Sequence, residues 1–408
     1  MTTILKARDA KDVEAAVQWA LAEGKALEVV GHGSKRALGR PAQTDATLDL
    51  SGLSGVSLYE PEELVLSAKA GTPLEEIEAL LESRNQQLAF EPMDYGPLLG
   101  ASRGEATIGG VLAANLSGPR RLTAGAARDH FLGATAVSGR GETFKSGGRV
   151  VKNVTGYDLC KLLAGSWGTL AVMTDVTLKT LPRPETETSL VVRGLPDTMA
   201  VTAMSVAMGA PCDISGAAFL PARLAPRVLP DLEPGATATL LRLEGVVPSV
   251  AHRLRILTEA MKTFGALAVL EAEPSRSAWR AIRDVTPLAA DGPAGTFPVW
   301  RIGTAPTRGA DLARRIAERI DAEFMYDWAG GLIWAVLAPS DDAGEAVVRE
   351  AVDVSGGHAM LVRAPAALRA VVPVFGPEET AMAELTQRVK QGFDPKGVLN
   401  PGRMWAGV

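Results

Sequence analysis

The sequence predicts a mixed α+β protein of more than one domain, and three observations carry that prediction. The first thirty residues alternate strand, helix and strand; the stretch from about Ala101 to Pro182 is dense in glycine and almost without helical periodicity; and strand and helix alternate repeatedly between Ser189 and Val362. A length of 408 residues accommodates two or three domains at about 150 residues each.

Taken in order, Val13, Ala16, Val17, Ala20 and Leu21 recur at i, i+3, i+4, i+7 and i+8, which predicts a helix with Asp9 as N-cap and Gly24 just past its end. Ala26 to Val30 then reads as a strand reached by a short parallel crossover. A second such unit starts at Glu63: Leu64 to Ala70 alternates as a strand, and Thr72-Pro73-Leu74-Glu75 has the form of a capping box opening a helix that runs to about Arg84. Between Gly104 and Lys152 glycines crowd out helical periodicity, so backbone rather than side chains is expected to make the important contacts. The β-branched run Leu170 to Leu178 predicts a strand, and Pro182 and Pro184 mark a domain exit. Beyond them, strands at 189–192, 216–220, 237–243 and 267–271 enclose helices at 197–208 and 249–264. The order recurs with strands at 298–302, 323–326, 332–337 and 358–362 and helices at 307–320 and 341–354, so two βαββαβ units, each ferredoxin-like, are expected.

Composition narrows the function classes. A net charge of −5 argues against nucleic acid or an anionic membrane as the main partner, and 47% hydrophobic with 22% charged residues describes a globular chain rather than a disordered one. The only two cysteines, Cys160 and Cys212, exclude a disulfide framework and any self-contained four-cysteine zinc or iron–sulfur site. With neither an apolar run of about 18 residues nor a signal-peptide core at the start, a cytoplasmic enzyme or enzyme subunit is expected.

Two segments carry the chemistry. Gly31-His32-Gly33-Ser34-Lys35 follows a strand and precedes no helix; glycine amides and a hydroxyl there can wrap phosphate oxygens, although a plain strand-to-loop turn also uses glycines. It is not a Walker A loop, and Arg36 stands where a dinucleotide fingerprint would place its third glycine. The second segment is Ala106-Thr107-Ile108-Gly109-Gly110-Val111-Leu112-Ala113-Ala114-Asn115-Leu116-Ser117-Gly118, whose paired glycines and small residues let backbone approach a flat, phosphate-bearing ligand. After it come Arg128-Asp129-His130, Lys152 to Leu159, Gly165-Ser166-Trp167-Gly168-Thr169-Leu170 and, at the end, Phe393 to Met404 with Asn400-Pro401-Gly402-Arg403.

Together these residues resemble the FAD-binding domain of the vanillyl-alcohol oxidase superfamily, also called PCMH-type, and within it the FAD-binding subunits of bacterial glycolate oxidase. The resemblance implies a PCMH-type domain of two α/β subdomains over residues 1–184, a ferredoxin-like cap over 185–375, and a C-terminal segment, 376–408, that returns to the FAD domain. It implies that Gly31, His32, Gly33, Ser34 and Lys35 cradle the pyrophosphate and that Thr107, Ile108, Gly109 and Gly110 line the flavin and its ribityl chain. Ala114, Asn115, Ser117 and Gly118 would form a second wall, the backbone of Leu170 and Val172 would touch the adenine, and Asn400 would sit near the ring. Some members bond FAD through a loop histidine placed just after two glycines; His32 stands one position earlier, so non-covalent FAD is expected.

The implied activity is flavin-dependent oxidation of a small 2-hydroxy acid, glycolate to glyoxylate, within a complex that also holds a larger FAD-linked subunit and an iron–sulfur subunit. The implied location is cytoplasmic, or peripheral to the inner membrane through those partners. Stand-alone members carry a His-x-Gly-Asp-Gly-Asn-like stretch that none of His32, His130, His252 and His358 belongs to. A non-catalytic assembly subunit therefore stays open beside the redox-active one, and a stand-alone dehydrogenase is disfavoured. Catalytic candidates are His130, within the flavin-domain motif, and the guanidinium groups of Arg280, Arg283 and Arg301 as a carboxylate clamp, although a solvated surface arginine is the commoner outcome for each.

Overall fold

The computed structural model describes residues 3–150, 156–292 and 295–408. Lys152 to Thr155 of the glycine-rich motif thus lie outside the described residues. The chain divides into two compact units, one of Met1–Ser117, Gly125–Arg183 and Pro377–Val408, the other of Gly118–Ala124 and Pro184–Gly376.

In the first unit, Asp9 accepts the amide of Asp12 at 2.9 Å to start the helix Ala10–Glu23, and Gly24 ends it at φ +61°. This helix buries Val13, Val17 and Ala20 against Leu27, Leu48 and Leu399. The strand after it, Leu27–Val30, does not pair with the first strand, Thr3–Lys6; the four-residue strand Ala46–Asp49 lies between them, parallel to both. The tail extends this sheet: Leu399 pairs parallel with Leu27, and the amide of Asn400 donates to Leu27 O at 2.9 Å.

A five-stranded sheet completes the unit in the order Val56–Glu60, Val65–Lys69, Ala171–Lys179, Phe131–Ser138, Thr143–Gly147, antiparallel throughout. This corrects the expectation of a second strand–helix–strand crossover, because Val65–Lys69 takes antiparallel partners on both edges. The helix after it, Leu74–Glu82, has Pro73 at its N-cap and no side-chain cap. The capping box does not form, since buried Thr72 turns its hydroxyl back to Lys69 O at 2.7 Å. Short helices also interrupt the glycine-rich stretch, at Ile108–Ala113, Ala127–His130 and Leu159–Leu163.

The second unit is built on one eight-stranded sheet. Its first half, Thr186–Arg193, Gly216–Leu220, Ala238–Gly245 and Ala266–Leu270, carries helices Asp197–Gly209 and Val247–Met261; its second half, Val299–Gly303, Ala322–Asp327, Leu332–Leu337 and His358–Arg363, carries helices Gly309–Ala317 and Glu345–Ser355. Each half is a βαββαβ unit with spatial order 4-1-3-2, and the halves join edge to edge where Phe219 pairs with Tyr326. The four helices cover one face, burying Leu190, Met204, Leu241, Trp300, Ile316 and Leu337. On the opposite face of the first half sits a further helix, Ala272–Arg283, tied to its strand by Trp279 Nε1 donating to Ser189 Oγ at 2.7 Å.

Candidate functional site

The turn after Leu27–Val30 opens a cleft in the first unit, lined by Val29 to Arg36, Thr107, Gly110, Ala113, Ala114, Trp167, Asn400 and Arg403. Four segments distant in sequence therefore meet there. Gly31 has to be glycine, because a Cβ would stand 2.6 Å from Thr107 Oγ1, and Gly33 turns the chain at φ +83°. Thr107 caps the helix that follows, its hydroxyl accepting the Gly110 amide at 3.3 Å. Gly110 faces the cleft: a Cβ there would stand 3.2 Å from Thr107 Oγ1 and 3.4 Å from Lys35 Nζ.

Asn400 is fixed from both ends of its amide. Its Oδ1 accepts the Val29 amide at 2.9 Å and its Nδ2 donates to Trp167 O at 2.9 Å, while its backbone takes a left-handed φ of +43°. A buried ion pair holds the segment before it. Lys390 Nζ donates to Asp394 Oδ2 at 2.7 Å, Thr169 O at 2.6 Å and Leu399 O at 3.0 Å, and Asp394 accepts the amides of Val398 and Leu399 at 2.9 Å each.

The cleft is cationic. Arg36 is engaged by Glu28, and Arg403 reaches back to Lys35 O at 2.7 Å. Burial pushes the Lys35 ammonium down to about 8, against the opposing pull of Asp94. Its side-chain contact within the cleft is Ser34 Oγ at 3.3 Å. An amine held so far below its ordinary value gains most from an anion placed beside it, and a nest of amides next to a lysine is the donor set a diphosphate requires. On this observation the residues fit the pyrophosphate of FAD.

Of the residues expected at the cofactor, Gly31, His32, Gly33, Ser34, Lys35, Thr107, Gly110, Ala114 and Asn400 are brought together. Others stand outside this cleft. Ile108 is buried, and a Cβ on Gly109 would meet Ala70 O at 2.7 Å, so that glycine serves close packing. Asn115 and Ser117 accept the amides of Arg128 at 3.1 Å and Ala127 at 2.8 Å, and Gly118 falls in the second unit with its carbonyl accepting Trp328 Nε1 at 3.1 Å. Val172 is core and pairs with Val137, while Leu170 lines a separate apolar cavity with Met382 and Leu385. Trp167, Arg403 and Asp94 were not anticipated as site residues. Trp167 stands near glycines in the segment 165–170, and Arg403 closes the Asn-Pro-Gly-Arg ending.

The catalytic candidates separate likewise. His130 is buried against Phe90, ring centroids 5.4 Å apart, and does not line the cleft. Arg283 already grips Asp284 through two bonds of 2.9 and 3.0 Å, and Arg280 is exposed and paired with Glu273 at 2.9 Å, so neither guanidinium is disposed as a substrate clamp. Arg301 lies in the second unit with its guanidinium 5.1 Å from the Trp328 ring centroid. Both cysteines are free and buried, and burial raises each thiol, Cys160 to about 11. Among the described residues there is no group of three or more metal-ligating side chains and no helix long and apolar enough to cross a membrane.

Comparison with known proteins gives the same picture. A family model described as FAD binding domain matches residues 2–147. The chain is 34% identical over 390 residues to glycolate oxidase subunit GlcE of Escherichia coli (strain K12), covering 96% of this chain and 95% of that protein. It is 26% identical over 334 residues to glycolate oxidase subunit GlcD of Bacillus subtilis (strain 168), covering 74% of this chain and 68% of that one. Among solved structures, 4-ethylphenol oxidase from Gulosibacter chungangensis superposes with a TM-score of 0.74 over 99% of this chain and 89% of its own at 13% identity, a likeness of fold.

Proposed function

The chain belongs to the glycolate oxidase subunit GlcE family, and from that premise we propose that it is the FAD-binding subunit of a glycolate oxidase complex, supporting oxidation of glycolate to glyoxylate. It is a flavoprotein oxidoreductase of PCMH-type fold. The observation that carries the reading is the convergence of the turn 31–35, the segment 107–114 and Asn400 on one cationic cleft.

FAD, when bound, supplies the acceptor for the hydride equivalent leaving the substrate carbon. The residues of this chain bind and orient it. The amides of Gly31 to Ser34 and the ammonium of Lys35 would take the diphosphate, and Thr107, Gly110 and Ala114 would wall the ribityl side. Asn400, clamped by Val29 and Trp167, would offer its rigid amide to the ring. The attachment is non-covalent, with His32 exposed at the cleft mouth. Two cysteines are too few to ligate a cluster, so the electron acceptor, whether oxygen, a quinone or a cluster-bearing partner, lies outside this chain. The proposed complex adds a larger FAD-linked subunit and an iron–sulfur subunit, in the cytoplasm.

Anaerobic addition of glycolate tests the reading. Bleaching of the flavin in the isolated chain, or on addition of the two partners, supports it; flavin that stays oxidised in the assembled complex overturns it.

A further inference from the structure

The face of the eight-stranded sheet opposite the four helices carries an arginine whose own chain does not satisfy it. On the strand Val299–Gly303, Trp300 and Ile302 point into the helix-covered core, so Arg301 points the other way. It pairs with Trp334 on one side and Met360 on the other. Among the described residues its side chain makes no hydrogen bond and no ion pair, and its Nε is shielded from solvent. The other enclosed guanidinium groups of this unit are committed: Arg120 to Glu244 at 2.8 Å, Arg283 to Asp284, Arg363 to Leu288 O at 2.6 Å, Arg349 to Ala359 O at 2.6 Å.

Two further basic side chains, Arg121 and His358, stand near Arg301. Arg121 stacks on the same Trp328 indole, 4.4 Å from its centroid. His358 pairs with Gly303, and its ring lies over that glycine so closely that a Cβ would meet Cε1 at 2.5 Å. Arg301 and His358 are thus diagonal neighbours on one face of adjacent antiparallel strands, about 7–8 Å apart. The carboxylate on that row, Asp327, accepts the Trp328 amide at 2.7 Å.

We infer that Arg301, with His358 beside it and Trp328 beneath it, forms a binding site in the second unit for a small 2-hydroxy carboxylate, the guanidinium taking the carboxylate through two N–H donors and the imidazole the 2-hydroxyl. A planar fork of donors matches a carboxylate, and the indole holds that fork in place. His358 is exposed at the start of its strand, but partial desolvation of its ring, first, and then the charges of Arg301 and Arg121 lower its pKa from the usual imidazole value, so the ring keeps one nitrogen free to accept a hydroxyl proton in a hydrogen bond. The inference rests on the hydroxy-acid reading above and names the residues that would hold that substrate.

The test is calorimetric titration of the full FAD-loaded chain with oxalate, glycolate and acetate. Wild type binds oxalate and prefers glycolate to acetate. Arg301→Met weakens oxalate and glycolate by about tenfold or more, the loss expected for a charge-assisted bidentate contact, with flavin content unchanged. Arg301→Lys, which keeps the charge but not the fork, falls between and carries the test if the methionine variant is recovered unfolded. His358→Leu erases the preference for glycolate over acetate while leaving oxalate bound. No oxalate binding by wild type, or affinities unchanged in both Arg301 variants, overturns the site. Should oxalate binding follow Arg301 while glycolate never reduces the flavin of the assembled complex, the carboxylate site stands and the glycolate oxidase reading falls.

Discussion

Lys35 makes FAD affinity depend on pH in a range where few other groups titrate. In the free chain burial holds its pKa at about 8, against an ordinary 10.5. A diphosphate placed beside the ammonium favours the charged form; if it restores the ordinary value, the two states differ by about 2.5 units. Below pH 8 the lysine is already protonated in both, and binding is at its strongest. As pH rises through 8 the free chain loses the proton while the complex keeps it, so binding must take one up. The apparent dissociation constant scales as the ratio of the two titration factors, which gives about tenfold weaker binding at pH 9 than at pH 7, with a ceiling of about 300-fold at high pH. The assay is titration of apoprotein with FAD, followed by quenching of flavin fluorescence, at pH 7 and pH 9. Lys35→Met should bind more weakly at pH 7 and lose the dependence. Equal wild-type affinities at the two pH values, or the same slope in Lys35→Met, would refute the placement of this amine against the diphosphate.

Other expectations follow from the same geometry. Gly110→Leu fills the cleft at Thr107 and Lys35, so it should abolish flavin retention while the circular dichroism of the fold persists; Gly109→Leu strikes the carbonyl of Ala70 and should instead yield insoluble or unfolded protein. Burial alone would raise the Glu244 carboxyl, but the charges of Arg242 and Arg120 and the hydrogen bonds from Arg120 and Ser215 hold it at about 2. A depressed carboxyl contributes stability above its unfolded value of 4.5 and loses it as pH falls toward 2. Glu244→Gln should therefore flatten the loss of stability between those limits and, by removing a buried charge that pairs with both Arg120 and Arg242, cost about 3–5 kcal/mol in denaturant unfolding at pH 7. Lys390→Met strands the buried carboxylate of Asp394 and loosens the segment that places Asn400, so flavin should dissociate faster, measured by dilution, at a stability cost again of about 3–5 kcal/mol.

Much of the fold was legible because its periodicities are long and local. Gly216–Leu220 and Leu332–Leu337 are short apolar runs between turn signals and fall where the sequence puts them, and helix Asp197–Gly209 is one residue longer than its pattern. What escaped is short or satisfied only by tertiary contact. Ala46–Asp49 has four residues and too little alternation to announce a strand, yet it is the centre of its sheet. Ile108–Ala113 is six residues with two glycines, below the span that shows a 3.6-residue period. The helix Ala272–Arg283 did carry a readable stripe, with Ser275, Ala278, Trp279 and Ile282 all buried at helical spacing. At the site, the glycine turn and Asn400 could be read from motifs, whereas Arg403 meets Lys35 from 368 residues away, and Asp94 acts on Lys35 only through space. Charge and backbone spacing in a sequence expose a nest; which distant side chains close over it is decided by packing.

Flavin stoichiometry of the purified chain, read by native mass spectrometry after incubation with FAD and again after acid precipitation, bears most directly on the cleft as a cofactor site. The expected result is a complex of one chain with one FAD that falls apart in acid, leaving all the yellow colour in the supernatant. A chain that takes up no flavin, or a pellet that stays yellow, would contradict it.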